Sequence, residues 1–242
     1  MWNALALEPL RAVVSLFYPP FCALCFEAVE RTRYLCGSCA AKAPRIKAPF
    51  CYTCSEPFDG AITDTFTCAN CAHRLLHFEA AVSAYRSRGV VRTILHQFKY
   101  GREMHLRHPV GEWLCDTLED PRLHGRRFDA VIPVPLHPAR KRERGFNQAE
   151  LLAELLCAHA GLKMHIALER IRYTTTQTAF DRAERMENLR DAFRLRRKAN
   201  VQGLRVLLID DVLTTGSTLS ECARVLKQAG AISVHAATAA RA

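Results

Sequence analysis

The sequence predicts an α/β fold, a parallel-sheet domain preceded by a small cysteine-rich module. Three observations carry this. Apolar strand-like runs alternate with helical runs from residue 79 onward, four C-x-x-C pairs crowd between Cys22 and Cys71, and one wholly apolar run ends in two acids and a hydroxyl-rich turn. Strands buried on both faces and alternating with helices mean a parallel sheet. With 242 residues, 49% of them hydrophobic and 24% charged, the chain can bury one ordinary core beside a smaller module, which excludes a disordered chain.

Residues 1–18 carry Leu10, Val13, Val14 and Phe17 at helical spacing before Pro19-Pro20, so a short amphipathic helix is expected there as a packing element. Residues 19–78 hold the paired cysteines, and the boundary to the larger domain, 79–242, is placed near Phe78. In that domain Ala80 to Tyr85 reads as a strand, and Val90 to Phe98 as a helix with Val90, Val91, Ile94, Leu95 and Phe98 on one face. Ala130 to Val134 is a short apolar strand, and Ala149 to His159 a helix closed by Gly161. Val206 to Ile209, Ser217 to Ala229 and Ile232 to Thr238 complete the alternation as strand, helix and strand. No run has the roughly 18 to 20 apolar residues of a membrane span, and Met1-Trp-Asn-Ala lacks a basic signal region. A cytoplasmic protein without membrane insertion is expected.

Of 11 cysteines, eight form the pairs Cys22/Cys25, Cys36/Cys39, Cys51/Cys54 and Cys68/Cys71, while Cys115, Cys157 and Cys222 are scattered. A disulfide framework and zinc thiolate sites compete as explanations. The spacing favours zinc. A C-x-x-C turn brings two thiolates onto one tetrahedral ion, and the intervals of 10, 11 and 13 residues between pairs fit short hairpins. Eight thiolates make two Cys₄ sites for two structural Zn²⁺, with no open position for substrate. Sequential pairing closes the shorter loops and is preferred to interleaving. His73 and His77 are read as surface residues rather than ligands.

The formal charge is +10, and its distribution is uneven: residues 1–78 hold 7 basic and 6 acidic residues, the remainder 27 and 18. A basic larger domain points to a polyanionic partner, a phosphorylated metabolite or nucleic acid, without choosing between them.

One segment concentrates the chemistry: Val206-Leu-Leu-Ile-Asp210-Asp211-Val-Leu-Thr214-Thr215-Gly216-Ser217-Thr218. Ligands of open α/β sheets bind beyond the carboxyl ends of the strands, where this run is expected to deliver two carboxylates. The Thr/Gly/Ser turn opens a helix, and backbone N–H groups at such a terminus, with hydroxyls beside them, bind phosphate. Carboxylates beside a phosphate cradle suit a phosphorylated sugar, with Mg²⁺ balancing charge. No G-x-x-x-x-G-K-[ST] is present, which excludes a P-loop. After Pro133-Val-Pro-Leu-His137 comes a stretch with Arg140, Lys141, Arg142 and Arg144, read as a loop whose guanidinium groups neutralise pyrophosphate. Tyr173 to Thr178, flanked by Arg172 and Arg182, reads either as a lid over the site or as an ordinary surface loop.

The acidic segment resembles the signature of type I phosphoribosyltransferases. Joined to two zinc ribbons, and to Pro133-Val-Pro-Leu-His137…Arg140-x-x-x-Arg144-Gly-Phe-Asn-Gln148 and Arg172-x-Thr174-x-x-Gln177…Arg185-x-x-Asn188, it is similar to the ComF/GntX family. Phe180 departs from the Leu often found there, and Lys99 in Phe98-Lys-Tyr-Gly-Arg102 matches as an exposed helix-end lysine. The resemblance implies a double zinc ribbon before a type I phosphoribosyltransferase-like domain. It implies that Asp210 and Asp211 hold the ribose hydroxyls and act in catalysis, and that Thr214, Thr215, Gly216, Ser217 and Thr218 hold the 5′-phosphate of phosphoribosyl pyrophosphate (PRPP). Arg140, Arg142 and Arg144 would take the pyrophosphate, and Arg172, Thr174 and Gln177 would lie on the flexible loop. The implied activity is Mg²⁺-dependent pentosyl transfer to an acceptor that the residues do not specify. The competence relatives imply an alternative, a non-catalytic protein of DNA uptake that holds single-stranded DNA and meets a competence helicase.

Overall fold

The computed structural model describes residues 21–30, 34–60, 66–173 and 189–242. The helix expected over 1–18 lies outside them. The elements are α1 (Gly37–Ala41), α2 (Ala69–Ala72), β1 (Ala81–Arg86), α3 (Gly89–Tyr100), α4 (Arg107–Cys115), β2 (Ala130–Pro133), α5 (Pro138–Arg144), α6 (Gln148–Ala160), β3 (Leu168–Arg170), β4 (Phe193–Leu195), β5 (Arg205–Leu213), α7 (Ser217–Gln228) and β6 (Ser233–Arg241).

Four strands form one sheet in the order β1-β6-β5-β2, with every neighbouring pair parallel. β5 is central because Val206 to Ile209 are all buried, and a strand with apolar side chains on both faces needs cover on both. Period-two alternation sorts them: Leu207 and Ile209 pack with α3, α4 and α6, while Val206 and Leu208 pack with α7. β3 and β4 form a separate antiparallel pair.

The cysteine-rich segments cover both faces of this sheet. Cys22, Cys36 and Cys39 share a buried cluster with Val91, Phe98 and Leu207. Cys51, Cys54, Cys68 and Cys71 share the other with Phe78, Leu208 and Leu213. Arg122, 3% exposed, fixes the second segment: it donates to Asp120, to the carbonyl of Tyr52 at 2.8 Å and to Ser55 Oγ at 3.0 Å.

Two expectations are corrected. β5 does not end at Ile209 but runs through both acids to Leu213, because β6 stays paired with it as far as Arg241. The basic stretch after His137 is not a loop. It is the helix α5, with Pro138 in its first turn, His137 Nδ1 accepting from Ala139 N, and Gly145 closing it in the left-handed conformation at φ 86°.

Candidate functional site

The acids of β5 obey the same alternation as the apolar residues before them. Asp211 falls on the α3 face, where Lys99 Nζ lies 2.9 Å from its Oδ1. Asp210 falls on the α7 face, and its Oδ1 accepts from Asp211 N at 2.9 Å. Burial, and next the charge of Asp211, push the Asp210 carboxyl up to about 7, against the opposing pull of Lys99 and Arg170. On the same face, burial and the Asp210 charge hold the Cys222 thiol well above its ordinary value. Arg170 of β3 and Arg140 of α5 feel each other there, and burial lowers the Arg170 guanidinium from its usual value. Lys99, expected as an exposed lysine, instead has a side chain 21% exposed.

The turn Thr214 to Thr218 leads from β5 into α7. Gly216 takes the left-handed conformation at φ 77°, and an added Cβ would meet the Phe78 ring at 3.5 Å. Thr215 Oγ1 accepts from Ser217 N at 3.4 Å and lies 2.9 Å from Ser217 Oγ, while Gly216 offers α7 no side-chain cap, so the N–H groups after Ser217 are the ones a phosphate could meet.

The three arginines do not converge as a loop would allow. Arg140 and Arg144 are four residues apart on α5 and share a face; Arg142 points elsewhere. Arg140 lies over the Tyr173 ring at 5.6 Å and Arg144 over Tyr100 at 5.1 Å. Arg142 lines a cleft of about 610 Å³ with Lys141, Arg170, Arg196, Glu150 and Glu169. Both carboxylates of that cleft have partners of their own, Lys141 for Glu150 and Arg194 for Glu169, each at 2.7 Å. Asn147 caps α6 and donates to Val134 O at 3.1 Å, which fixes the end of β2 beside the site. Arg172 is exposed and donates to Arg190 O at 2.8 Å. Thr174 and Gln177 lie outside the described residues.

The cysteines form two groups in sequential pairing, Cys22, Cys25, Cys36 and Cys39, then Cys51, Cys54, Cys68 and Cys71, with ligand atoms within 4.8 Å of one another. Zinc with Zn–S of about 2.3 Å requires sulfurs about 3.8 Å apart, so the donor set and its spacing fit. In the second group Cys51 is drawn well below its ordinary value by Cys54 and Cys71, while Cys51 pushes Cys54 up to about 12. A divalent cation removes that conflict by holding all four as thiolates.

Arg170, Arg74 and Asn70 were not singled out by the sequence. Arg74 and Asn70 follow or lie inside the last C-x-x-C pair and contact the turn at Thr215; only the fold brings them there. Among the described residues no helix is long and apolar enough to cross a membrane.

Known domains match both parts: the double zinc ribbon domain at residues 13–72 and the phosphoribosyl transferase domain at 143–242. The DNA utilization protein YhgH of Salmonella typhimurium is 31% identical over 223 residues, covering 91% of this chain and 96% of its own. Competence protein F of Haemophilus influenzae is 29% identical, covering 80% and 86%, and competence protein ComFC of Bacillus subtilis 28%, covering 81% and 79%. A double zinc ribbon, a parallel-sheet phosphoribosyltransferase-type domain and this similarity along almost the whole chain make the protein a member of the ComF family.

Proposed function

We propose that the protein binds PRPP at the carboxyl end of β5 and transfers its phosphoribosyl group to an acceptor. The observation that carries this is the pair Asp210 and Asp211 near the end of β5, two residues before the turn Thr214 to Thr218 that opens α7. Asp210 and Asp211 accept from the ribose hydroxyls, and the N–H groups and hydroxyls of the turn take the 5′-phosphate. Arg170, with Arg140 near it and Arg142 across the adjoining cleft, would meet the leaving pyrophosphate, and arginine's planar fork matches its oxygens. As the bond from C1 to pyrophosphate breaks, the carboxylates steady the positive charge developing on the ribose. Mg²⁺ would be held by the hard oxygens of Asp210 or Asp211 together with the ligand's own phosphates, and it would supply neutralisation of the pyrophosphate charge.

Calorimetry with PRPP, with and without Mg²⁺, tests the reading. Wild type should bind in a Mg²⁺-dependent manner, and the Asp210→Asn/Asp211→Asn double variant should bind at least tenfold more weakly while remaining folded. Equal affinity in the folded double variant would remove the carboxylates from the site.

The names of the relatives favour a second reading, a role in handling DNA during uptake or use. It is compatible with the first, because the cleft beside the site adds Arg196 to the cationic groups already described.

A further inference from the structure

The turn Thr214 to Thr218 takes part of its support from the cysteine-rich segment. The Thr215 carbonyl accepts from Arg74 at 2.8 Å and from Asn70 Nδ2 at 3.3 Å. A second nitrogen of the Arg74 guanidinium donates to Ser217 Oγ at 3.1 Å, and Asn70 Oδ1 accepts from Arg74 at 2.9 Å, locking the two side chains together. One turn further on, His77 N donates to Ser220 Oγ at 3.1 Å. Asn70 lies in α2, between the ligands Cys68 and Cys71, and a helix of four residues has no stability of its own. Its geometry is therefore tied to the four-cysteine group whose members Cys68 and Cys71 flank it. The first four-cysteine group faces elsewhere: the segment after it bonds to β1 through Ile46 N to Ala84 O and Arg86 N to Pro44 O, both 2.8 Å, and through Arg45 to Asp116.

We propose that the second zinc site is the mount of the phosphate-binding turn, with Arg74 and Asn70 as positioning residues, so that capture of a sugar 5′-phosphate depends on metal at this site and not at the first. The ligand part of this rests on the reading of the turn given above; the mount itself does not. Hydrogen bonds to the turn that are made before the ligand arrives spare it the cost of ordering that backbone. Because Arg122 anchors the same segment independently, loss of the Arg74 hydrogen bonds leaves the fold intact.

The test uses the full zinc-loaded chain with Arg74→Met, which keeps the apolar stem and removes the donors, and Arg74→Lys, which keeps one. Hydrogen exchange of the amides of residues 214–220 reads the mount, metal analysis reads zinc, and titration with PRPP and Mg²⁺ reads the ligand. Arg74→Met should keep two zinc ions, exchange the turn faster and bind PRPP about tenfold more weakly, with Arg74→Lys between it and wild type. Cys25→Ser, at the exposed ligand of the first group, should leave exchange in the turn unchanged. Wild-type exchange in Arg74→Met, or equal loosening in Cys25→Ser, overturns the mount. If wild type itself fails to bind PRPP, the functional reading falls and the exchange data still decide the mount.

Discussion

Lys99 Nζ sits 2.9 Å from Asp211 Oδ1, joining the last turn of α3 to the carboxyl end of β5 across one face of the sheet. Adjacent residues of a strand point to opposite faces, so the two neighbouring carboxylates meet different surroundings. Lys99 pairs with Asp211 on the α3 face, and Asp210 on the other face feels the pull of Lys99 first and of Arg170 after it. The Lys99–Asp211 pair, this close to the edge, fixes that carboxylate in place at the site.

Lys99→Met should therefore destabilise the protein by about 2–3 kcal/mol, since it leaves Asp211 with a mostly buried charge and no cation. Adding Asp211→Asn should recover part of that loss. Urea denaturation of the two single variants and the double variant measures the coupling. Strictly additive effects would mean that the pair contributes nothing.

Asp210 gives a pH signature. Its folded value, about 7, is raised above the ordinary 3.8, so the protonated form suits the folded site. Its contribution to stability is complete below about pH 4 and is lost as pH rises through 7. Asp210→Asn should match wild type near pH 4 and exceed it at pH 8. The gain should be about 2 kcal/mol, below the full shift because the side chain keeps some exposure to solvent. Denaturation midpoints at the two pH values check this, and a variant no more stable than wild type at pH 8 would refute it.

The sheet was legible because its strands are wholly apolar and its helices amphipathic; β5, α3, α6 and α7 lie within a few residues of where periodicity puts them. The sequential pairing of the cysteines was legible from loop length. A proline in the first turn and a glycine after the last are boundary signals for the helix Pro138 to Arg144, but the five consecutive charged residues Arg140 to Arg144 leave it no apolar periodicity. What the sequence hid is the meeting of distant segments. Nothing local in Arg74 or Arg170 distinguishes either from any surface arginine, and Lys99 looks solvated until α3 is laid against β5.

Zinc content and stability should be linked face by face in the sheet. Two ions per chain are expected, because two complete four-thiolate shells are present. Both shells share buried clusters with the sheet, so a chelator should uncover both faces rather than melt a separate module. Trp113, 5% exposed in the first cluster, reports on the larger domain. Its fluorescence should change in step with zinc release. Chelation that strips both ions and leaves this emission unchanged would mean that the sheet folds without the ribbons.

Salt and competition test the DNA reading. If single-stranded DNA is a ligand, its affinity should fall steeply with salt as neutralised phosphates release their counterions, with roughly one unit of log–log slope for each phosphate that a cationic side chain neutralises. Arg142 and Arg196 line the cleft that also holds Arg170, the side chain whose charge acts on Asp210, whereas Arg144 is turned toward Tyr100. Arg142→Ala and Arg196→Ala should each flatten the slope, and Arg144→Ala should change it least. A strand in this cleft would run past the Arg170 side chain assigned to pyrophosphate, so saturating PRPP should displace it. DNA binding that survives saturating PRPP, or that Arg142→Ala leaves untouched, would move the strand away from the cleft to the zinc ribbons or another basic face.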